Sequence, residues 1–307
     1  MTPSTKKQPI TYTSLDEISV KPLAKESQKS ADLENGIIFF GGRCVVRTAN
    51  RRELRQTAYE LLHKIYSEMR IVKNKSVSMW LSIFDALPET TTFVAENNQG
   101  EIVGALTLVF DSPIGLPADE LYKEEVDELV NAERKICEIT SFGINKSAKG
   151  SVKILAGLFY CAYLLAWRIK NATDFVITVH ARYENFYCRN LLFNKIGPVR
   201  KYARVNGAPT VLLNLPLNLP GMLKDNKHIF PLSMLKYTDQ KELEVANKIK
   251  SLLCPMSDEE FYNFFIEKTD TWEKASVQQK DYIKKIYPPH RTDHFQVSRA
   301  LASGFSK

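Results

Sequence analysis

Residues 134–167 read RKICEITSFGINKSAKGSVKILAGLFYCAYLLAW. Ile136, Ile139, Thr140, Phe142 and Ile144 give Lys135 to Ile144 the β-branched and aromatic content of a strand. A lysine-bearing Gly/Ser loop follows, and then an uncharged run from Ile154 to Trp167 that reads as a buried helix. At 14 residues that run is shorter than the roughly 20 needed to span a bilayer, so it is expected to be a core helix. Glu138 is the only acid in the strand, placed between Cys137 and Ile139 where the pattern otherwise asks for sheet packing. The order strand, basic loop, buried helix suits an anion held at a helix start.

Upstream, residues 1–35 lack apolar periodicity and read as a mobile leader. Arg43 to Thr48 has strand character, and Leu54, Ala58, Leu61, Leu62, Ile65 and Met69 recur at helical spacing from Arg51 onward. TTTFVAE and IVGALTLVF, joined by Asn98-Gln99-Gly100, form an expected hairpin ending at Asp111. A Pro/Gly turn then opens an acidic helix from about Ala118 to Val130, expected to show its acids to solvent. Downstream, TDFVITVHA reads as a strand, RYENFYCRNLLFNKIG as a helix closed by Gly197-Pro198, and Asn206-Gly207 as the turn of a second hairpin. The result is a mixed α/β layer domain over residues 36–217. Capping boxes at Ser257 with Glu260 and Ser276 with Gln279 announce a helical appendage over 218–289, expected mainly to cover the core. Residues 290–307 read as a loose tail.

The composition, 44% hydrophobic and 10% aromatic, is globular, and the net charge of +7 favours an acidic partner. The charge is polarised. Asn145 to Arg204 carries eleven Lys or Arg against two acids, whereas Asp111 to Thr140 carries nine acids against three bases. Nucleic acid is a weaker expectation, because aromatics are not interleaved with the lysines as a stacking platform. Five scattered cysteines, never in CxxC spacing, fit a reducing, cytoplasmic setting without structural metal.

GEIVGALTLVFDSPIGLPADELYKEEVDEL, CEITSFGIN with its helix, FVITVHARYENFYCRNLLF and YARVNGAPTVLL together resemble the FeeM-type N-acyl amino acid synthases. These belong to the GNAT superfamily and are related to acyl-homoserine-lactone synthases. The resemblance covers about Arg43 to Leu217. It implies a three-layer acyltransferase fold with a mixed, splayed central sheet, here extended by the helical appendage. It also implies transfer of a long acyl chain to the amine of an amino acid. The donor implied is the acyl-phosphopantetheine of acyl carrier protein rather than acyl-CoA, with no permanently bound cofactor.

By the same resemblance Glu138 is the carboxylate that helps deprotonate the amine, and Tyr187 the phenol that protonates the departing thiolate. The amine must lose a proton before it attacks, and a carboxylate within reach contributes about 10²- to 10⁴-fold. Backbone N–H groups at Ser141, Phe142 and Gly143 are expected around the thioester oxygen. Lys146, Lys149, Ser151, Lys153, Arg182 and Arg189 are expected at the pantetheine phosphate and the acidic carrier. Asp85 and Asp111 are the further acids expected at the amine substrate. In two places the chain departs from the family pattern: Ser141 stands where E-x-S-R has its arginine, and Leu62 where lactone synthases carry one. These departures leave open a degenerate module that binds carrier or acylated ligand without turnover, and a lactone-type synthase as a further alternative. The oligomeric state is not legible.

Overall fold

The computed structural model describes residues 36–39, 44–72, 78–218 and 239–288. The expected leader and tail lie outside these residues. One nine-stranded sheet organises the chain. Its strands are β1 (Ile37–Phe39), β2 (Cys44–Thr48), β3 (Thr91–Glu96), β4 (Ile102–Phe110), β5 (Ile136–Ile144), β6 (Asp174–His180), β7 (Asn194–Lys195), β8 (Arg200–Tyr202) and β9 (Ala208–Pro216). The order is β1-β2-β3-β4-β5-β6-β9-β7, with β8 also on β9. Every pairing is antiparallel except β5 with β6, the parallel pair that the intervening helix makes possible.

Helices cover both faces. On one lies α3, Ser151–Tyr163 continued by a wider turn over Leu164–Ile169, with α4 (Glu184–Leu191) and α5 (Asp239–Leu252). On the other lie α1 (Arg52–Glu68) and α2 (Asp119–Asn131). They are joined there by α6 (Asp258–Phe261), α7 (Thr271–Lys274) and α8 (Val277–Ile286). The mixed three-layer expectation is therefore met. α3 and its continuation are apolar and long enough to cross a membrane by length and composition, but the helix is mostly buried within the protein. Ile154 to Ala166 pack into the main core with Phe93, Phe175 and Leu213, as a core helix does.

The expected strand limits hold within a residue or two, both capping boxes form, and Asn206 and Gly207 take the positive φ of 66° and 70° that a tight hairpin needs. α4 ends earlier than expected. Leu192 turns left-handed at φ 62°, and the chain reverses so that Asn194 and Lys195 pair with β9 instead of continuing the helix. The acids of α2 are only partly solvated: Glu125 holds Arg200, and Glu120 accepts from the Tyr202 hydroxyl at 3.1 Å.

Candidate active site

β5 and β6 pair at only three positions, Ile136 with Asp174, Cys137 with Phe175 and Glu138 with Val176. Beyond Glu138 the strands part. A cavity of about 490 Å³ opens between Ile139–Ile144 and Ile177–His180, within the usual range of roughly 300–1,000 Å³ for small-molecule sites. Glu138 sits at the vertex of this wedge. The hydroxyls of Thr140 and Thr178, one from each strand, are buried along it without a hydrogen-bond partner. Buried polar atoms are rarely left so unless a ligand or water completes them.

The Glu138 side chain is 3% exposed. Its Oε2 accepts from the backbone N–H of Ala118 at 2.7 Å, at the start of α2. Burial pushes the carboxyl up to about 8, against the smaller opposing influence of that N–H and of Arg204. The G-L-P turn makes the contact possible. Gly115 has φ 72°, and a Cβ there would meet Asp119 Oδ2 at 2.1 Å, while that same oxygen accepts from Leu116 N–H at 3.1 Å. Only glycine lets the turn fold close enough to bring Ala118 onto Glu138.

A β-bulge sets the rest of the site. Thr107 pairs with Ser141 and Leu108 with Ile139, so Thr140 is the extra residue. In a regular strand Glu138 and Ser141, three apart, face opposite ways; the bulge puts both on the α1/α2 face. There Ser141 Oγ accepts from Trp80 Nε1 at 3.2 Å, and the Arg204 guanidinium lies over the Trp80 ring, 5.3 Å from its centroid. Arg204, on the turn between β8 and β9, therefore brings a guanidinium into the cavity that Glu138 lines. Leu62 is fully buried, and together with Ile65 it packs where a Gly143 side chain would go.

The family profile described as N-acyl amino acid synthase FeeM matches residues 57–216, more than half of the chain. The chain belongs to the FeeM family. It is an acyltransferase that joins an acyl group to an amine. Among solved structures it is similar to FeeM from uncultured soil microbes, at 23% identity over 57% of this chain and 91% of that one, with a TM-score of 0.50. That similarity is one of fold. It is also similar to the AHL synthase LasI, at 17% identity over 57% and 90% of the two chains, with a TM-score of 0.43. For the CoA-dependent acyl-homoserine lactone synthase BjaI the values are 13%, 69% and 89%, and 0.42. No curated protein sequence matches the chain.

On this FeeM-family scaffold the expected residues fall into three groups. Glu138 and Tyr187 both line the wedge. Tyr187 is buried, packs edge-on to Phe186 and Phe193, and burial holds its phenol well above the ordinary value, so it stays a proton donor at neutral pH. The basic residues lie on the segments that follow β5 and β6. Lys146 lines the cavity just beyond β5 and lies 3.6 Å from Glu68; Lys149 is exposed; Ser151 begins α3 and Lys153 is in its first turn. Arg182 follows β6 and lies over Tyr183, while Arg189 is further along α4 and exposed.

The third group is placed otherwise than expected. The Phe142 N–H is already donated to the Tyr66 hydroxyl at 3.0 Å, and that hydroxyl donates back to Phe142 O at 3.1 Å. Phe142 thus presents its backbone to the wedge, and strand alternation turns Ser141 and Gly143 toward β4. The Phe142 N–H is therefore engaged rather than offered to a thioester oxygen in this arrangement. Asp85 is also removed from the cavity. It is buried in a short turn, where Oδ2 accepts from Ser82 N–H at 2.7 Å and Ser82 Oγ at 2.8 Å. Asp111 is exposed at the end of β4 and accepts from Ser112 N–H. The residues that do surround Glu138's cavity, and that sequence reasoning did not assign to the acceptor, are Tyr66, Trp80, Tyr202 and Arg204. In the sequence Arg204 groups only with Arg182, Arg189 and Arg200 as a basic residue that could dock an acidic carrier, because it follows a strand and precedes Asn-Gly.

Proposed function

We propose that the chain moves a long-chain fatty acyl group from the phosphopantetheine thioester of acyl carrier protein to the amine of an amino acid. The observation that carries this reading is the position of Glu138 at the vertex of the wedge, beside the Arg204 guanidinium. An extended pantetheine arm fits between two diverging strands in the manner of an added strand, with Thr140 and Thr178 supplying side-chain hydrogen bonds. Lys146, Lys149, Ser151 and Arg182, on the segments that follow β5 and β6, suit the phosphate and an acidic carrier, whose approach they accelerate. The aliphatic and aromatic walls suit the acyl chain.

In the reaction the amine nitrogen bonds to the thioester carbonyl carbon and the carbon–sulfur bond breaks. Glu138, as carboxylate, accepts the proton the amine gives up; Tyr187 donates its phenol proton to the departing thiolate and recovers one from solvent. Arg204 holds the acceptor's carboxylate. The test is to supply palmitoyl carrier protein or palmitoyl-CoA with mixed amino acids and to follow products by mass spectrometry. The expected result is an N-palmitoyl amino acid formed far faster from the carrier. Tight carrier binding with no product from any amine would instead establish a binding module, and a Glu138→Gln variant at full rate would remove the assigned base.

A further inference from the structure

A second cavity, about 610 Å³, lies beyond Trp80 and Arg204, which line both spaces. Its wall is built from the end of α1 and the residues after it, the segment Met79 to Phe84, Glu120 of α2, the β8–β9 turn, and the appendage, which stands outside the residues matching the family. Polar groups converge there. They include His63, whose Nε2 is buried without a hydrogen-bond partner, together with Asn206, Thr271, Gln279, and Lys274 paired to Asp270 at 2.6 Å. The wedge, by contrast, is walled mainly by aliphatic and aromatic groups.

We infer that this second cavity is the side-chain pocket of the acceptor, and that it selects amino acids whose side chain ends in a hydrogen-bonding group over those with a hydrocarbon side chain. The inference rests on the proposed reaction, and its geometry follows from one carbon atom. With the α-amine at Glu138 and the α-carboxylate at Arg204, the Cα lies where the two cavities meet. The acyl thioester fills the wedge, so the remaining substituent goes past Trp80 into the polar space. A glutamine-sized side chain there reaches donors and acceptors from the appendage, whereas an isosteric hydrocarbon leaves the buried His63 Nε2 without a partner. Sites built for polar groups discriminate strongly against analogues that lack them.

The experiment separates binding from turnover. N-lauroyl-glutamine and N-lauroyl-leucine are titrated calorimetrically into the full chain, and the same two amino acids are compared as acceptors. The glutamine compound is expected to bind at least tenfold tighter, and Thr271→Val with Lys274→Met, both on the appendage, to reduce that ratio to about threefold or less. Equal binding of the two compounds to the wild-type chain overturns the inference, even where both amino acids are acylated. So does a preference the two variants leave untouched. Selective binding without turnover of any amine keeps the pocket and removes the proposed reaction instead.

Discussion

Trp80 Nε1 donates to Ser141 Oγ at 3.2 Å, and this hydrogen bond fixes the indole on which the Arg204 guanidinium rests. Ser141 thus helps, through Trp80, to bring a positive charge to the cavity that Glu138 lines. Arg204 comes from a hairpin turn, its stacking surface from the segment before β3, and the anchor from β5. A stacked, planar guanidinium keeps its donor edges for a carboxylate. Arg204→Met is therefore expected to raise the KM for an amino acid roughly 10- to 100-fold, the worth of about 1.5–3 kcal/mol for a charged hydrogen bond, and to leave the KM for the acyl donor alone. Steady-state kinetics with the decarboxylated amine supplies the control. Wild type and variant should handle that amine alike, and a variant defect that persists there would assign Arg204 another role.

Much of this fold was legible because its strands and helices carry unambiguous periods. The six interior β-runs, the apolar α3 and the capping boxes at Ser257 and Ser276 all read directly. What the pattern conceals is geometry that one residue controls. The bulge at Thr140 inserts a single residue into β5, and no alternation rule reports it, yet it decides that Glu138 and Ser141 share a face. Likewise the short β7 follows from the left-handed turn at Leu192, a conformation that leucine does not advertise. Asp85 looked like a free acid because its partner, Ser82, is visible only once the turn closes.

Glu138 acts as a base only when ionised, and burial holds its carboxyl at about 8. Turnover under subsaturating acceptor is therefore expected to rise tenfold per pH unit below that value and to level off above it. Glu138→Gln should lower the rate by about 10²- to 10⁴-fold and abolish this limb. A variant profile with the same limb near pH 8 would assign the titration elsewhere.

The same group links stability to pH. Its pKa is raised from 4.5 in the unfolded chain to about 8 in the folded one, so the native state keeps a proton that the unfolded state releases. Its contribution is fully present below pH 4.5 and is lost as pH rises through 8. At about 1.4 kcal/mol for each pH unit of difference, the ionised carboxylate costs the fold several kcal/mol above pH 8. Thermal melts should show Glu138→Gln more stable than wild type at pH 9 and little different at pH 5. Equal differences at both would mean that the carboxyl is not buried in its neutral form.

Gly115→Ala forces a methyl to within 2.1 Å of Asp119 Oδ2 at φ 72°, so the turn must open. The backbone conformation alone costs about 1–2 kcal/mol. The movement also draws the Ala118 N–H away from Glu138, and that N–H is what holds the carboxyl down against burial. The expected outcome is a lower melting temperature together with an acidic limb displaced above pH 8. Adding Asp119→Ala removes the collision and should recover part of both; a lowered melting temperature with an unmoved limb would separate the turn from the carboxylate.

The appendage is tied to α1 by a buried ion pair, Arg55 Nη1 to Glu260 Oε1 at 2.5 Å, with Arg55 Nη2 also donating to Cys254 O. Around it Phe261 stacks on Tyr287 at 4.4 Å, and the Tyr287 hydroxyl donates to Ala86 O at 2.9 Å. Removing one partner leaves a buried charge uncompensated, at a cost of about 3–5 kcal/mol, whereas replacing both with apolar groups of similar size is close to neutral. Glu260→Met should therefore destabilise the chain more than Arg55→Met with Glu260→Met together, in urea titrations followed by far-UV circular dichroism. Because Phe261, Phe264 and Ile283 share one core with Val109, Val176 and Leu212 of the sheet, the loss should appear as an earlier single transition. A separate early transition for the appendage alone would show that the polar cavity and the wedge can come apart, and that acceptor binding must then fail before acyl-donor binding does.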